Sequence, residues 1–211
     1  MRTKEQIGGI LSALEREYPM AECTLDERDA WRLLVQVRLA AQCTDARVNL
    51  VTPALFERFP TVRDMAAADV GEVEEYIRSC GFYHGKARDL VLQAQRLTEV
   101  YGGRVPDSMD ELLTLPGVGR KSANLILGDV FRQPGAVVVD THCICLSNRM
   151  GLVDDEKDPV RIEKILRAQL PAEKTNDFCH RLVLHGRAVC TARKPQCDRC
   201  TCAPFCKTMN P

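Results

Sequence analysis

The chain has 211 residues, of which 45% are hydrophobic and only 5% aromatic, enough apolar mass for one sizeable core or two small ones. Lys plus Arg and Asp plus Glu both number 29, so the net charge is zero and any nucleic-acid surface must be local. Near the N-terminus, Ile7, Ile10, Leu11 and Leu14 recur at helical spacing between charges, unlike the unbroken apolar core of a secretory leader. No segment reaches the roughly 20 apolar residues of a membrane span, so a soluble intracellular protein is expected.

Helical periodicity recurs almost throughout and strand-like alternation is scarce, which predicts an all-α protein. Helices are expected over 4–18, 27–41, 45–58, 71–79 and 85–101, the third capped by Thr44 or Asp45 and kinked or split by Pro53. Gly102-Gly103 breaks the pattern, and Pro106-Asp107-Ser108 opens a new short helix. LPGVGRKSANLIL then reads as two helical pieces joined by a Gly-rich turn. An apolar run at 137–139 ends at Asp140, and helices follow over 141–150, 159–170 and 173–189.

Gly117 and Gly119 in Leu115-Pro116-Gly117-Val118-Gly119-Arg120-Lys121 permit positive φ and close approach. The helix starting near Lys121 or Ser122 points free N–H groups and a positive dipole end at whatever lies over the turn, and a DNA phosphate suits that place. At a helix N-terminus, with partial desolvation, Lys121 has the setting of an amine nucleophile; it equally has that of a phosphate-contacting cation. Asp140 reads as an N-cap or as a carboxylate held to stabilise positive charge.

Cysteine is the outlier, with eleven. The number is odd and secretory features are lacking, which argues against a disulfide framework. Cys190, Cys197, Cys200 and Cys206 form C-x6-C-x2-C-x5-C, the pattern of four thiolates on a metal; spacing alone leaves zinc and an iron–sulfur cluster both open. Arg181, Arg187, Arg193, Lys194, Arg199 and Lys207 surround this segment and form the local basic patch that the net charge hides.

The string LPGVGRKSAN, the V-D-T-H at 139–142 and the cysteine spacing together resemble the endonuclease III family of helix–hairpin–helix DNA glycosylase/AP lyases. The resemblance covers nearly the whole chain. It implies Lys121 and Asp140 as the catalytic pair, and a [4Fe–4S] cluster on Cys190, Cys197, Cys200 and Cys206, with Cys202 left out. Ala41-Gln42-Cys43-Thr44-Asp45 is similar to the family's A-Q-x-T-D segment, so Gln42 inherits the filling of the gap left by an extruded base. Phe82, in Gly81-Phe82-Tyr83-His84-Gly85-Lys86, stands where the family places a wedge. Gly117, Gly119, Arg120, Arg187 and Arg193 are the other expected DNA contacts, and Leu184-His185-Gly186-Arg187 also matches. One departure stands out: Cys145 occupies the place of the family's arginine after V-D-T-H, which removes a cation between the catalytic loop and the cluster region.

The resemblance implies a two-lobed all-α fold. One lobe, 23–134, is a helical bundle carrying the hairpin; the other joins 1–22 to 135–211 and carries the cluster. The catalytic cleft is expected between them. The implied function is removal of oxidised pyrimidines from duplex DNA and cleavage on the 3′ side of abasic sites by β-elimination, in base excision repair. The partner is damaged double-stranded DNA, the protein a monomer with no membrane contact, and the place the cytoplasm (the nucleoid, if bacterial). A monofunctional mismatch glycosylase is the nearest alternative, but Lys121 argues against it, as does a chain ending soon after the cluster. A non-catalytic DNA-binding iron–sulfur module is disfavoured by Lys121, Asp140 and Gln42 occurring together.

Overall fold

The computed structural model describes residues 2–210, and among them no strand occurs. The chain divides into two compact units, Thr24–Arg132 and the discontinuous pair Met1–Cys23 with Gln133–Pro211.

The continuous unit begins with α2 (Ala30–Ala40), whose N-terminal N–H groups at Trp31 and Arg32 are accepted by the Asp29 carboxylate. Its buried face, Trp31, Leu33, Leu34, Val35 and Leu39, packs against α3 (Asp45–Arg58), α6 (Tyr83–Tyr101) and α8 (Arg120–Asp129). Thr44 caps α3 as expected. Pro53 does not split α3: the helix continues through it to Arg58. The ring forfeits one backbone bond, while burial of Leu55 and Phe56 in the next turn holds the helix together, each contributing about 1.5–3 kcal/mol.

Sequence periodicity misses α4 (Val62–Ala66), which is too short to show a period. Its signal was chemical instead: Thr61 and Asp64 form a reciprocal capping box. α5 (Val70–Ile77) follows, capped by Asp69. α4 and α5 both pack on α6, the central helix of this unit, and α7 (Met109–Leu112), capped by Ser108, packs on α8.

In the discontinuous unit, α1 (Lys4–Glu17) carries a Thr3–Gln6 capping box and buries Ile7, Ile10, Leu11 and Leu14. It packs against α11 (Thr175–Ala188) and the turn at Ala203–Phe205. Gly9 makes this possible, since a Cβ there would lie 2.5 Å from the Phe205 ring. α9 (Thr141–Met150) also packs on α11, and α10 (Pro159–Gln169) starts with proline in its first turn, behind the Asp158 cap. The run at 137–139 is buried, lies outside any helix and leads into Asp140 at the start of α9.

Candidate active site and cluster loop

The hairpin turn is built from one residue that must be glycine. Val118 N–H donates to the Leu115 carbonyl at 3.2 Å, which closes a turn with Pro116 second and Gly117 third. Gly117 has φ +74°, the left-handed value that a Pro-Gly turn of type II requires. A Cβ on it would also lie 2.7 Å from Arg38 Cδ. Arg38 is itself fixed by Asp89 at 2.6 Å, and Gln93 donates to the Pro116 carbonyl at 3.1 Å. α2 and α6 therefore hold the turn from below. Sequence reasoning missed these supports, because they are ordinary polar residues on helix faces.

Gly119 departs from the expectation of positive φ: it is extended, at φ −104° and ψ 177°. Its value lies in what it omits. It is the N-cap of α8 with no side chain over the helix end, and nothing would lie within 4 Å of a Cβ there. The first N–H groups of α8 stay accessible to an anion. The helix begins at Arg120, one residue before the expected start, which puts Lys121 in its first turn. Lys121 is exposed, so the partial desolvation expected of it is not seen in this chain.

Asp140 is half-buried and caps α9, accepting from Cys143 N–H at 2.8 Å. That bond aims one carboxylate oxygen at the helix and fixes the position of the other. The cap and the carboxylate readings are thus the same geometry. Behind it, α9 sits hard against α11, with His142 facing Gly186.

Gln42 and Phe82 share a feature that periodicity cannot show. Both are non-glycine residues in the left-handed region, at φ 54° and φ 58°. Both are exposed, Phe82 with 74% of its surface in water. Phe82 is therefore not a core aromatic. A large apolar side chain is thus held out in water on a backbone conformation that is costly for a non-glycine residue. Between these loops lies Lys86, 1% exposed, donating to the Leu39 carbonyl at 2.7 Å. Burial lowers its pKa from the ordinary lysine value.

The four expected cluster cysteines converge. Cys190, Cys197, Cys200 and Cys206 all line one small pocket, together with Arg149, Met150, Val189 and Pro195. Cys202 is buried and is not part of that lining. A second grouping competes: the ligand atoms of His185, Cys200 and Cys202 lie within 4.8 Å of one another. The four-thiol pocket is the better metal site. His185 is already engaged on both ring nitrogens, by the Tyr18 hydroxyl at 3.2 Å and the Cys200 sulfur at 3.3 Å. Cys202 hydrogen-bonds to Cys200, and this, with His185, pulls the Cys200 thiol down to about 4 while the Cys202 thiol is pushed up. A soft, four-thiolate donor set in a largely apolar pocket fits an iron–sulfur cluster.

Whatever the family places at position 145, a link from α9 to the cysteine loop exists one turn later. Arg149 donates to the carbonyls of Thr191 at 2.8 Å and Ala192 at 2.6 Å, and approaches Cys190 Sγ at 3.5 Å. The basic patch is smaller than expected. Arg181 is buried, donates to the Tyr18 carbonyl and pairs with Asp177, while Lys207 pairs with Asp154 at 2.7 Å. Arg187, Arg193, Lys194 and Arg199 are exposed.

The model of the HhH-GPD superfamily base excision DNA repair proteins matches residues 35–183. The chain belongs to this superfamily and, within it, to the endonuclease III family. Endonuclease III of Synechocystis sp. is 45% identical over 203 residues, covering 96% of this chain and 92% of that protein. Endonuclease III of Bacillus subtilis is 38% identical over 207 residues, covering 98% and 94%. A solved structure of a trapped endonuclease III–DNA covalent intermediate superimposes with a TM-score of 0.93 at 40% identity, covering all of this chain and 98% of that one. As an endonuclease III the chain is a DNA glycosylase with AP lyase activity, which disfavours both the monofunctional and the non-catalytic readings.

Proposed function

We propose that the enzyme removes oxidised pyrimidines from duplex DNA and cleaves the 3′ side of the resulting abasic site. The observation that carries this is Lys121, exposed in the first turn of a helix whose N-terminus is left uncovered by Gly119. DNA binds by its backbone to the α8 N–H groups and Arg120, with Arg187 and Arg193 contacting further phosphates. Phe82 enters the stack and Gln42 fills the gap as the damaged nucleotide leaves it. The Lys121 amine attacks the anomeric carbon and the base departs with the electron pair of the glycosidic bond. Asp140 stabilises the positive charge that develops on the sugar and accepts protons from the amine. Ring opening gives a Schiff base to Lys121; loss of a C2′ proton then expels the 3′ phosphate.

Cys190, Cys197, Cys200 and Cys206 are the residues that would hold a [4Fe–4S] cluster. When bound, that group cross-links the loop that presents Arg193 and supplies no chemistry to the sugar.

The test is borohydride trapping on duplex DNA carrying one oxidised pyrimidine. Wild type should form a covalent adduct, and Lys121→Ala should not while still binding the duplex. A folded wild type that gives no adduct on this DNA or on abasic-site DNA would overturn the amine mechanism.

A further inference from the structure

Lys86 reaches both loops assigned to base extrusion. Its backbone N–H donates to the Phe82 carbonyl at 3.3 Å, in the first turn of α6. Its ammonium donates to the Leu39 carbonyl at 2.7 Å, in the last turn of α2. The first anchor is Phe82 itself, and the second lies three residues before Gln42. Beyond α2 the chain turns tightly, with Cys43 N–H donating to the Ala40 carbonyl at 3.1 Å, so Gln42 sits inside a turn hung from the end of that helix. The loops also touch directly: a Cβ on Gly81 would lie 3.7 Å from the Gln42 carbonyl oxygen.

Packing alone does not call for lysine here. Lys86 is 1% exposed, and an apolar side chain would fill the space without the cost of burying an ammonium. What the ammonium adds is a bond to one of the carbonyls that a helix leaves without an internal donor, at the negative end of the α2 dipole. The left-handed backbones of Gln42 and Phe82 are costly and persist only where their surroundings fix them. Lys86 supplies such fixing to both. The same two helices are joined again by Arg38 and Asp89 at 2.6 Å, beneath Gly117. One link thus underlies the hairpin turn and the other underlies the extrusion loops.

We propose that Lys86 is a positioning residue for base extrusion, holding Gln42 and Phe82 at a fixed separation so that wedge and gap-filler enter the duplex together. Being buried, it acts through the two backbones rather than on the DNA. The proposal rests on the roles assigned to Gln42 and Phe82.

The experiment compares cluster-loaded wild type with Lys86→Met, which removes the donor and keeps an unbranched stem, and with Gln42→Ala, Phe82→Ala and the Lys86→Met/Phe82→Ala double variant. In the free protein, hydrogen exchange should quicken over 40–44 and 80–86 in Lys86→Met and stay at the wild-type rate in α8. Single-turnover excision of a paired oxidised pyrimidine should slow roughly tenfold, as misplaced groups do. Cleavage of a preformed abasic site, which has no base to extrude, should change far less. Lys86→Met should add little to Phe82→Ala, because one acts through the other. Equal losses on both substrates, or fully additive losses in the double variant, would reduce Lys86 to a general structural role and overturn the proposal. Unchanged exchange in both loops would overturn it as well. If Lys86→Met does not fold, Lys86→Gln, a shorter donor, is read by the same substrate ratio. Slow excision by Gln42→Ala and Phe82→Ala with wild-type excision by Lys86→Met would overturn the positioning alone. Wild-type excision by Gln42→Ala and Phe82→Ala would instead overturn the loop roles, and the positioning with them.

Discussion

Gly186 backs onto the imidazole of His142 so closely that a Cβ there would overlap Nδ1. His142 lies two residues beyond Asp140 in the chain, so this contact sets the position of the α9 start that presents the carboxylate. Gly186→Ala must displace the ring or separate α9 from α11. The expected cost is about 1–3 kcal/mol of stability, as for other overpacked sites. Excision should fall with it, and His142→Ala in the same chain should restore part of both. A melting temperature and an excision rate equal to wild type would show that the contact positions nothing.

Lys86 gives a pH signature. Burial lowers its ammonium pKa from 10.5, and Arg38, Cys43 and Cys80 are the charged or titratable groups around it. Between the lowered value and 10.5 the unfolded chain holds a proton that the folded chain has released. Stability therefore gains from this group as pH rises through that window, and the gain is absent below it. Subtracting the denaturation profile of Lys86→Met from that of wild type should leave this alkaline rise. A flat difference would mean that the folded protein does not penalise the charge.

Much of this was legible in the sequence, for identifiable reasons. Helices long enough to show a period, such as α1, α3 and α9, follow from apolar spacing and cap residues. The Pro-Gly turn and the four cysteines are fixed by chemistry at short range. What was not legible depends on contacts distant in sequence. Nothing near Arg38 says that it will underlie Gly117, 79 positions on, or that Asp89 will hold it. Nothing in G-F-Y says that Phe82 takes a left-handed backbone with its ring in water. Arg181 and Lys207 counted as patch cations until their partners were known.

Phe82 offers a separation of stability from function. Its φ of 58° is a conformation that a non-glycine residue adopts at a cost of about 1 kcal/mol, and its side chain adds no core contact to offset that. Phe82→Gly should melt at or above the wild-type temperature. Single-turnover excision of a paired damaged base should slow roughly tenfold or more, because the unstacking wedge is lost. Cleavage of a preformed abasic site, which has no base to extrude, should change far less. A lower melting temperature would place the Phe82 ring in the fold rather than in the DNA.

Cys202 lies outside the pocket that Cys190, Cys197, Cys200 and Cys206 line, and the proposed cluster assignment leaves it out. Cys202→Ala should purify with wild-type iron content and visible colour; Cys197→Ala should lose both. Arg149→Ala should be intermediate, because it removes donors to the Thr191 and Ala192 carbonyls without removing a sulfur. Water can take over the exposed Ala192 carbonyl, so the loss falls mainly on the part-buried Thr191 bond, worth about 1 kcal/mol and enough to loosen the loop without unfolding it. The expected result is iron retained on purification but lost faster to a chelator, with Arg149→Lys recovering part of the difference. Iron loss on Cys202→Ala as complete as on Cys197→Ala would instead give the metal to the His185, Cys200 and Cys202 group.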